Sequence, residues 1–320
     1  MTKLGLHENI AKNQIFIDGI TRCGKSMFSH IVPSLENVEH IKFIEFIEQI
    51  VPALSLKLID VDFAKNYVRL NMNILAYDNR LSRNVNFRPS DQTGVVNAVD
   101  PSLYQSRLQK QEGDEIIDEL RTDRRFMVYQ THDLLVNLEF LNLLEIDYKM
   151  ISLFRHPVDN IYSWWTRGWG KRFGSDPRAF TLTLEHDNEK IPWYCAGMEE
   201  LWKKQNEVER CVKTAGALIE RSIEQYKKSK TKSKIHILTF EEFCTAPENE
   251  LNKICKFLGT KKSIFTSEKL HKARCPRVLR KEDRMNKIHE FKQNISNALF
   301  EYLMDLSSDY EKNLYGLKKC

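Results

Sequence analysis

Four short apolar runs recur along the chain, and each is bounded by polar residues. Each run is rich in β-branched or aromatic residues and is too short for a typical helix, a pattern typical of strands buried in a sheet. The runs are QIFID at 14–18, FMVYQT at 126–131, KMISLF at 149–154 and KIHILTF at 234–240. We therefore predict four buried β-strands at these positions.

Helical patterns separate the predicted strands. The first helical pattern lies between the first loop and Pro33, and the next two begin near Leu134 and Val158. Two more cover residues 197–228 and the segment that begins at 247. Because strands and helices alternate, we predict an α/β fold with a three-layer, mostly parallel, doubly wound sheet. Ligands of such sheets bind at the carboxyl ends of the strands.

Two segments, about 75–125 and about 166–196, are irregular and rich in Asn, Asp, Gly, Pro and aromatic residues. We interpret them as excursions from the sheet and expect them to cover the acceptor side of a binding site. Since 42% of the 320 residues are hydrophobic, the chain can bury one large core, and residues 1–320 are interpreted as a single domain.

The amino-acid composition limits the classes of ligand and partner that this protein is expected to bind. The net charge of +5 suits an anionic ligand but is too small for a dedicated nucleic-acid binder, so no nucleic-acid partner is expected. The seven cysteines form no C-x-x-C pair, which argues against a zinc site and favours reduced thiols in a cytoplasmic protein. No apolar stretch of about 18 residues occurs, and the first residues lack a signal-peptide pattern, so no membrane span is expected.

The loop after the first predicted strand reads GITRCGKS, from Gly19 to Ser26. Its spacing matches the P-loop pattern, in which backbone N–H groups and a lysine, here Lys25, surround a phosphate chain. Arg22 adds a second positive charge. Such a match arises by chance in roughly one per cent of chains of this length, so a lysine on a solvated turn is the weaker interpretation. The loop predicts a phosphate without identifying the nucleotide.

Residues at the ends of two other predicted strands suggest a phosphate-binding group and a proton acceptor. Arg155 follows KMISLF, where a kinase would need an acidic residue to organise Mg²⁺; an arginine there favours a phosphate instead. Pro157 is expected to begin a helix that carries Ser163 two turns along. His132 follows the second predicted strand, where an imidazole can act as a base at neutral pH. An ion pair between Arg155 and Asp159 is the alternative role for this arginine.

The loop GITRCGKS, the run Arg155-x-Pro157-x-Asp159-x-x-x-Ser163 and the segment TFEEFCTAPENELNKICKFLG at 239–259 together resemble the sulfotransferases. These enzymes use 3′-phosphoadenosine-5′-phosphosulfate (PAPS), and their fold is similar to that of P-loop kinases. The three motifs occur in the family's order and span about three quarters of the chain. The resemblance implies a sulfuryl transfer from PAPS to an acceptor hydroxyl or amine, and a glycan or a small alcohol is the expected acceptor.

The resemblance also implies roles for individual residues. The loop would hold the 5′-phosphosulfate, Arg155 and Ser163 would hold the 3′-phosphate, and the late run CPRVLRKEDR is a loose match to a further 3′-phosphate loop. The implied PAPS-binding residues are Arg22, Cys23, Gly24, Lys25, Ser26, Met27, Arg155, Ser163, Arg280 and Lys281.

The catalytic assignments follow from the run QTHDL, which resembles the family's lysine-threonine-histidine run and implies that His132 is the catalytic base. Gln130 stands where many members have a lysine. Lys25, where the family usually has threonine, is the expected substitute and would act with Arg22 on the departing phosphate. No metal is expected, because a sulfuryl group carries less charge than a phosphoryl group.

Two alternatives remain open from the sequence. The first is an ATP-dependent P-loop kinase, which Lys25 favours, with Asp60 and Asp62 after LKLI as magnesium-organising candidates. The second is a non-catalytic nucleotide-binding protein of the same fold. The aromatic cluster from Tyr162 to Phe173 is expected to divide between the core and an acceptor site.

Overall fold

A five-stranded parallel sheet lies at the centre of the protein, for which a computed structural model describes residues 4–317. In chain order, the strands are β1 (Gln14–Asp18), β2 (Lys42–Phe43), β3 (Met127–Gln130), β4 (Tyr148–Phe154), β5 (Thr183–His186), β6 (Glu189–Pro192) and β7 (Ile235–Thr239). The order in the central sheet is β2-β3-β1-β4-β7, and β5 and β6 form a separate antiparallel hairpin.

Helices flank this sheet, as the alternation of strands and helices predicts. They are α1 (Lys25–Ile31), α2 (Glu45–Ser55), α3 (Val61–Arg80), α4 (Pro101–Arg107), α5 (Asp114–Thr122), α6 (Leu138–Leu143), α7 (Pro157–Trp165), α8 (Trp169–Arg172), α9 (Glu199–Lys204), α10 (Glu207–Lys228), α11 (Phe240–Thr245), α12 (Pro247–Leu258), α13 (Thr266–Lys272), α14 (Lys281–Asn294) and α15 (Asn297–Leu317). No helix within residues 4–317 is both long enough and apolar enough to span a bilayer.

All four predicted strands are present, and the α/β fold with a parallel sheet is confirmed. The predicted helix over 197–228 is instead divided into α9 and α10. The division lies at Asn206, whose side-chain oxygen accepts from the N–H groups of Val208 and Glu209, while Glu209 accepts from the N–H of Asn206. This reciprocal capping starts a new helix, because it satisfies N–H groups that a continuous helix would bond internally.

The sequence patterns did not reveal β2, the β5–β6 hairpin, α2 or α3. The run LKLI is not a strand: it precedes α3, and Asp60 caps that helix by accepting from the N–H of Phe63 at 2.8 Å. Asp62 lies in the first turn of the same helix. Neither aspartate lines the cavity at the carboxyl edge of the sheet, so the magnesium-organising role suggested for them is wrong.

Strand β1 lies in the middle of the sheet and all five of its residues are buried. Ile15, Phe16 and Ile17 have no exposed area, and burying each contributes about 1.5–3 kcal/mol. The register pairs Ile17 with Gln130 of β3, and Asp18 with Ser152 of β4. The carboxyl ends of three neighbouring strands therefore meet at one edge, and the loops that follow them converge there.

A buried charge network holds the segment after α3 against the sheet. Its centre is the carboxylate of Glu39, which has no exposed side-chain area. Glu39 accepts from both terminal nitrogens of Arg107 at 2.7 and 2.9 Å, from Arg80 at 3.1 Å and from the hydroxyl of Tyr104 at 2.8 Å. Burial alone would raise the pKa of Glu39, but its hydrogen bonds and the charges of Arg107 and Arg80 lower this pKa to about 2.

Glu39→Gln is expected to destabilise the protein by about 3 kcal/mol, because it leaves the buried guanidinium of Arg107 without its carboxylate and removes one of the two carboxylates that pair with Arg80. Since the pKa of Glu39 is lowered on folding, its stabilisation is fully present above about pH 4.5 and is lost as the pH falls towards 2. Urea unfolding at pH 7, 5 and 3 measures both effects. Glu36→Gln, at an exposed position nearby, is the control, and an equally small loss in both variants would contradict the prediction.

Candidate functional site

A cavity of about 550 Å³ opens at the carboxyl edge of the sheet. The loop after β1, the ends of β3 and β4 and the start of α2 form one part of its wall. The segment 164–194 forms the opposite part, through aromatic residues and the run 178–181. Residues of the excursion at about 166–196 thus line this cavity.

The backbone of the loop after β1 requires glycine at two positions. Gly19 has φ +139°, and a Cβ there would lie 2.4 Å from the carbonyl oxygen of Leu153. Gly24 has φ +114°, and a Cβ there would lie 2.5 Å from the ring of Phe240. Both positions combine a left-handed backbone with close neighbours, so the glycine spacing of the motif follows from geometry.

Lys25 lies beneath this loop and is almost completely buried. Its ammonium group donates to the carbonyl oxygens of Gly19 and Ile20, the latter at 3.0 Å, and so ties the start of the loop to the start of α1. Lys25 and Ser26 also line the cavity. The loop thus brings a fixed positive charge and a hydroxyl group to the cavity floor.

The structure does not bring Cys23 to the cavity, in contrast to the PAPS-binding role implied for it. Its side chain is fully buried, and its Sγ lies 4.0 Å from the ammonium group of Lys25. Burial raises the pKa of the Cys23 thiol. Its N–H donates to the carbonyl oxygen of Ile20 at 3.3 Å, so this group is already bonded within the loop. Cys23 packs behind the loop and supports its shape.

Arginines lie close together around the loop, and within the described residues they have no carboxylate partners. Arg22 has φ +70°, and its Nε donates to the hydroxyl of Ser163 at 3.0 Å. Arg155 donates to the carbonyl oxygen of Arg22 at 3.2 Å, and its buried Nε has no hydrogen-bond partner. Burial and the charges of Arg167 and Arg155 lower the pKa of Arg22. This repulsion indicates an anion site, since a bound anion would offset it.

Asp159 is not the partner of Arg155. It accepts from Arg284 at 2.9 and 3.0 Å and from Lys287, both on α14. Within residues 4–317, Arg155 forms no ion pair. The alternative that Arg155 serves only as the partner of Asp159 is therefore wrong, and its guanidinium is free to bind a ligand.

Phe240, the first residue of α11, lies between two arginines. The guanidinium of Arg155 lies 5.0 Å from the centre of its ring, and that of Arg277 lies 5.5 Å from it. Arg277 lines the cavity and contacts the sulfur of Met27 at 3.3 Å. Sequence reasoning missed Arg277, although it lies in the late basic run; Arg280, chosen there, is exposed and does not line the cavity. The side chain of Lys281 lies outside the described part of the chain.

A neighbouring cavity of about 560 Å³ continues from this point. It shares Met27 and Arg277 with the first cavity and is lined further by His30, Phe265 and Lys269. The backbone N–H of Met27 donates to the carbonyl oxygen of Gly24. Met27 thus contributes its side chain, and not its N–H group, to the junction of the two cavities.

His132 lies at the carboxyl end of β3 and faces the cavity. Its position is fixed from α2: a carboxylate oxygen of Glu48 accepts from the backbone N–H of His132 at 2.7 Å and lies 3.1 Å from its Nδ1. With Nδ1–H donating to Glu48, Nε2 is left as a proton acceptor. This histidine–carboxylate arrangement orients a general base and stabilises its protonated form.

Two residues close to His132 in the sequence, Gln130 and Asp133, differ in charge and in hydrogen bonding. Gln130 is buried, and its side-chain oxygen accepts from Ser29 and from Gln92, so it brings no charge to the site. Burial raises the pKa of Asp133 to about 7, against opposing charges that include Lys25. Within the described residues, the Oδ1 atom of Asp133 is buried without a hydrogen-bond partner. Burial therefore favours the neutral form of this carboxyl group.

The aromatic residues of the predicted cluster differ in whether they line the cavity. Trp164 is buried, lines the cavity and donates from its indole N–H to the carbonyl oxygen of Thr21 at 2.6 Å, which anchors the phosphate-loop motif to α7. Trp165 packs instead against Tyr162 and Phe291. This part of the cavity wall is therefore aromatic, and it also includes Trp193 and Tyr194.

Comparisons with known proteins identify the family to which the chain belongs. The family described as the sulfotransferase domain matches residues 12–304 of the chain. Among solved structures, the sulfotransferase domain from the curacin biosynthetic pathway is 12% identical, with 97% of this chain and 99% of that chain covered and a TM-score of 0.48. A sulfotransferase from Alicyclobacillus acidocaldarius is 15% identical, with 92% and 96% covered and a TM-score of 0.39. A mouse sulfotransferase complexed with PAP is 12% identical, with 96% and 88% covered and a TM-score of 0.40. A search of curated proteins found no match.

Proposed function

Since this chain belongs to the sulfotransferase domain family and is therefore an enzyme that transfers sulfuryl groups, we propose that PAPS is its donor. The observation that carries the proposal is the group formed by Arg22, Arg155 and Arg277. All three line the cavity at the sheet edge, and none forms an ion pair with a carboxylate of residues 4–317. Unpaired guanidinium groups around a phosphate-loop motif fit a ligand with more than one phosphate.

The residues divide between the two ends of the donor. Lys25, Ser26 and Arg22 belong to the loop, line the cavity and would hold the 5′-phosphosulfate through charge-assisted hydrogen bonds. Arg155 and Ser163 both bond to Arg22 and would hold the 3′-phosphate beside it. The guanidinium of Arg155 matches this role because it lines the cavity and forms no ion pair with a carboxylate of the described residues.

The adenine would enter the neighbouring cavity at Met27 and Arg277. This cavity begins where the phosphate-binding residues end, and Met27 and Phe265 give it apolar walls suited to a flat base. Arg277 replaces Arg280 as the late basic residue in this proposal, because Arg277 reaches both cavities.

In the reaction, the donor supplies a sulfuryl group whose bond to the 5′-phosphate oxygen breaks as a new bond forms to the acceptor oxygen. Nε2 of His132 takes the proton of the acceptor hydroxyl, and Glu48 stabilises the resulting imidazolium through Nδ1–H. Lys25 and Arg22 neutralise the charge that grows on the leaving phosphate. Gln130 is neutral, so the positive charge that many members have at that position would come here from Lys25, which lines the same cavity.

The test of this proposal is a calorimetric comparison of adenosine 3′,5′-bisphosphate with adenosine 5′-monophosphate. We expect the bisphosphate to bind roughly tenfold to a hundredfold more tightly, since a hydrogen bond to a charged group contributes about 1.5–3 kcal/mol. ATP with Mg²⁺ serves as the comparison for a kinase. Equal affinity for the two adenosine phosphates, or a clear preference for magnesium ATP, would contradict the PAPS assignment.

A further inference from the structure

Helix α3 carries apolar residues on two opposite faces. Its inner face packs on the core through Ala64, Val68, Met72 and Ala76. Four apolar residues on the outer face are between 38% and 54% exposed, and we call them the outer stripe: Phe63, Tyr67, Leu70 and Ile74. A surface helix normally presents polar side chains on the side away from the core. An apolar stripe on that side therefore indicates a surface that another molecule covers.

The spacing of the outer stripe is that of a seam between two helices. Its residues are separated by four, three and four positions, the alternation at which apolar residues recur when helices pack along their length. The rings of Phe63 and Tyr67 stack, with centres 5.8 Å apart and planes inclined by 26°. The stripe is therefore a ridge about 16 Å long that suits a second helix.

The exposed apolar area at this face is close to what a dimer needs. Leu58, which is 63% exposed, shares a shallow groove with Phe63 just before α3. Leu6 is also exposed, next to the carbonyl group of His7 that accepts from Arg69 of α3. At roughly 200 Å² for a fully exposed residue of this size, the stripe with Leu58 and Leu6 presents about 550 Å². A specific dimer buries about 800 Å² of each partner, so the apolar face supplies most of that area.

The charges around the outer stripe favour a second copy of the chain over an anionic membrane. Asp60 and Asp62 lie at its amino-terminal end and would be repelled by anionic lipids. The nearby cations are already engaged, because Lys65 pairs with Glu145 at 2.6 Å and Arg69 donates to two backbone carbonyl oxygens. Two antiparallel α3 helices keep the aspartates of the two copies about 20 Å apart, whereas parallel helices would place them together.

We propose that the outer stripe joins two copies of this chain through antiparallel α3 helices. In a two-fold interface each contact occurs twice. With the axis between Tyr67 and Leu70, Tyr67 of one copy contacts Leu70 of the other, and Phe63 contacts Ile74. Ile74 is the most exposed residue of the stripe, and it enters the groove that Leu58 and Phe63 line in the other copy. Each copy therefore supplies both a ridge and a groove.

Sedimentation velocity of the full chain over a wide range of concentration measures this dimer. We expect a concentration-dependent species of twice the chain mass. Leu70→Glu places two like charges near the axis and should raise the dimer Kd at least tenfold. Leu201→Glu, at a leucine of similar exposure on α9, is the matched control and should leave the Kd unchanged.

Cross-linking tests the antiparallel pairing itself, and it does not depend on the folding of Leu70→Glu. The double variant Phe63→Cys/Ile74→Cys should form a covalent dimer with oxidised glutathione, because each new disulfide joins position 63 of one copy to position 74 of the other. Within one helix these positions lie about 16 Å apart, too far for a disulfide. The two single variants are the controls and should run as monomers on a non-reducing gel.

The proposal is overturned if the wild type stays monomeric at every concentration, or if a folded Leu70→Glu dimerises as the wild type does. A double cysteine variant that gives no covalent dimer would overturn the antiparallel pairing. Vesicles of phosphatidylcholine and phosphatidylserine test the lipid alternative. A monomeric chain that sediments with these vesicles, and no longer does so as Leu70→Glu, would assign the stripe to a lipid surface and also overturn the proposal.

Discussion

Replacing His132 with alanine is expected to lower kcat with an accepted acceptor about a hundredfold or more, the usual scale for loss of a general base. The Kd of adenosine 3′,5′-bisphosphate should stay nearly unchanged. His132 follows β3, whereas the phosphate loop follows β1. Within the described residues, the hydrogen bonds of His132 are made to Glu48 and not to the loop. Its removal therefore affects proton transfer and leaves the donor-binding groups in place.

Steady-state kinetics with radiolabelled PAPS and calorimetry with the bisphosphate measure the two quantities. His186→Ala, on the β5–β6 hairpin and outside the cavity, is the matched control and should retain full activity. If His132→Ala also retains full activity, His132 is not the base. Asp133, whose pKa is raised to about 7 by burial in the same cavity, is then the next residue to replace.

Replacing Glu48 also tests whether His132 is the general base. Glu48→Gln should lower kcat by about tenfold or more, because a glutamine neither stabilises the protonated imidazole nor enforces Nδ1–H. The double variant with His132→Ala should be no slower than His132→Ala alone, since the carboxylate acts through the imidazole. Additive losses in the double variant would show that Glu48 acts independently of His132.

Replacing Arg155 with alanine is expected to weaken adenosine 3′,5′-bisphosphate roughly tenfold to a hundredfold and to change adenosine 5′-monophosphate binding little. The reason is that Arg155 lines the cavity and has no carboxylate partner within residues 4–317. A 3′-phosphate would accept from its guanidinium. The preference for the bisphosphate over the monophosphate should disappear in this variant.

Calorimetry with both nucleotides measures this preference, and thermal unfolding checks that the fold persists. Arg178→Ala is the matched control, because Arg178 lines the acceptor side of the same cavity and is paired with Asp176. An equal loss of affinity for both nucleotides in Arg155→Ala would contradict a role at the 3′-phosphate. Unfolding of this variant would indicate that Arg155 supports the loop through the carbonyl oxygen of Arg22.

Local patterns in the sequence determined the sheet and the phosphate loop. Strand β1 was predicted with its observed bounds, because a strand buried on both faces must be apolar throughout. The spacing of the loop glycines was also evident in the sequence. The structure explains it, because Gly19 and Gly24 occupy left-handed backbone in contact with neighbouring atoms. The positions of Arg155 and Ser163 followed in the same way from a strand end and a helix start.

Secondary-structure elements without a clear hydrophobic pattern were not predicted from the sequence. Strand β2 has two residues, too few for an alternation to show. Helix α3 has twenty residues but carries many polar ones, and the aspartate that caps it, Asp60, follows an apolar run that suggested another role. The break between α9 and α10 depends on the hydrogen bonds of Asn206, which side-chain periodicity does not report.

The tertiary structure alone decided which side chains meet in the site. Glu48 reaches His132 from 84 positions earlier in the chain, and Arg277 reaches Met27 from 250 positions later. Cys23 belongs to the loop motif but points behind it, and Asp159 pairs with Arg284 of α14 in place of the nearby Arg155. Hydrophobic periodicity fixes local structure because it depends on neighbours in sequence. Which distant polar groups pair is set by how the helices pack on the sheet, and that packing is a property of the whole chain.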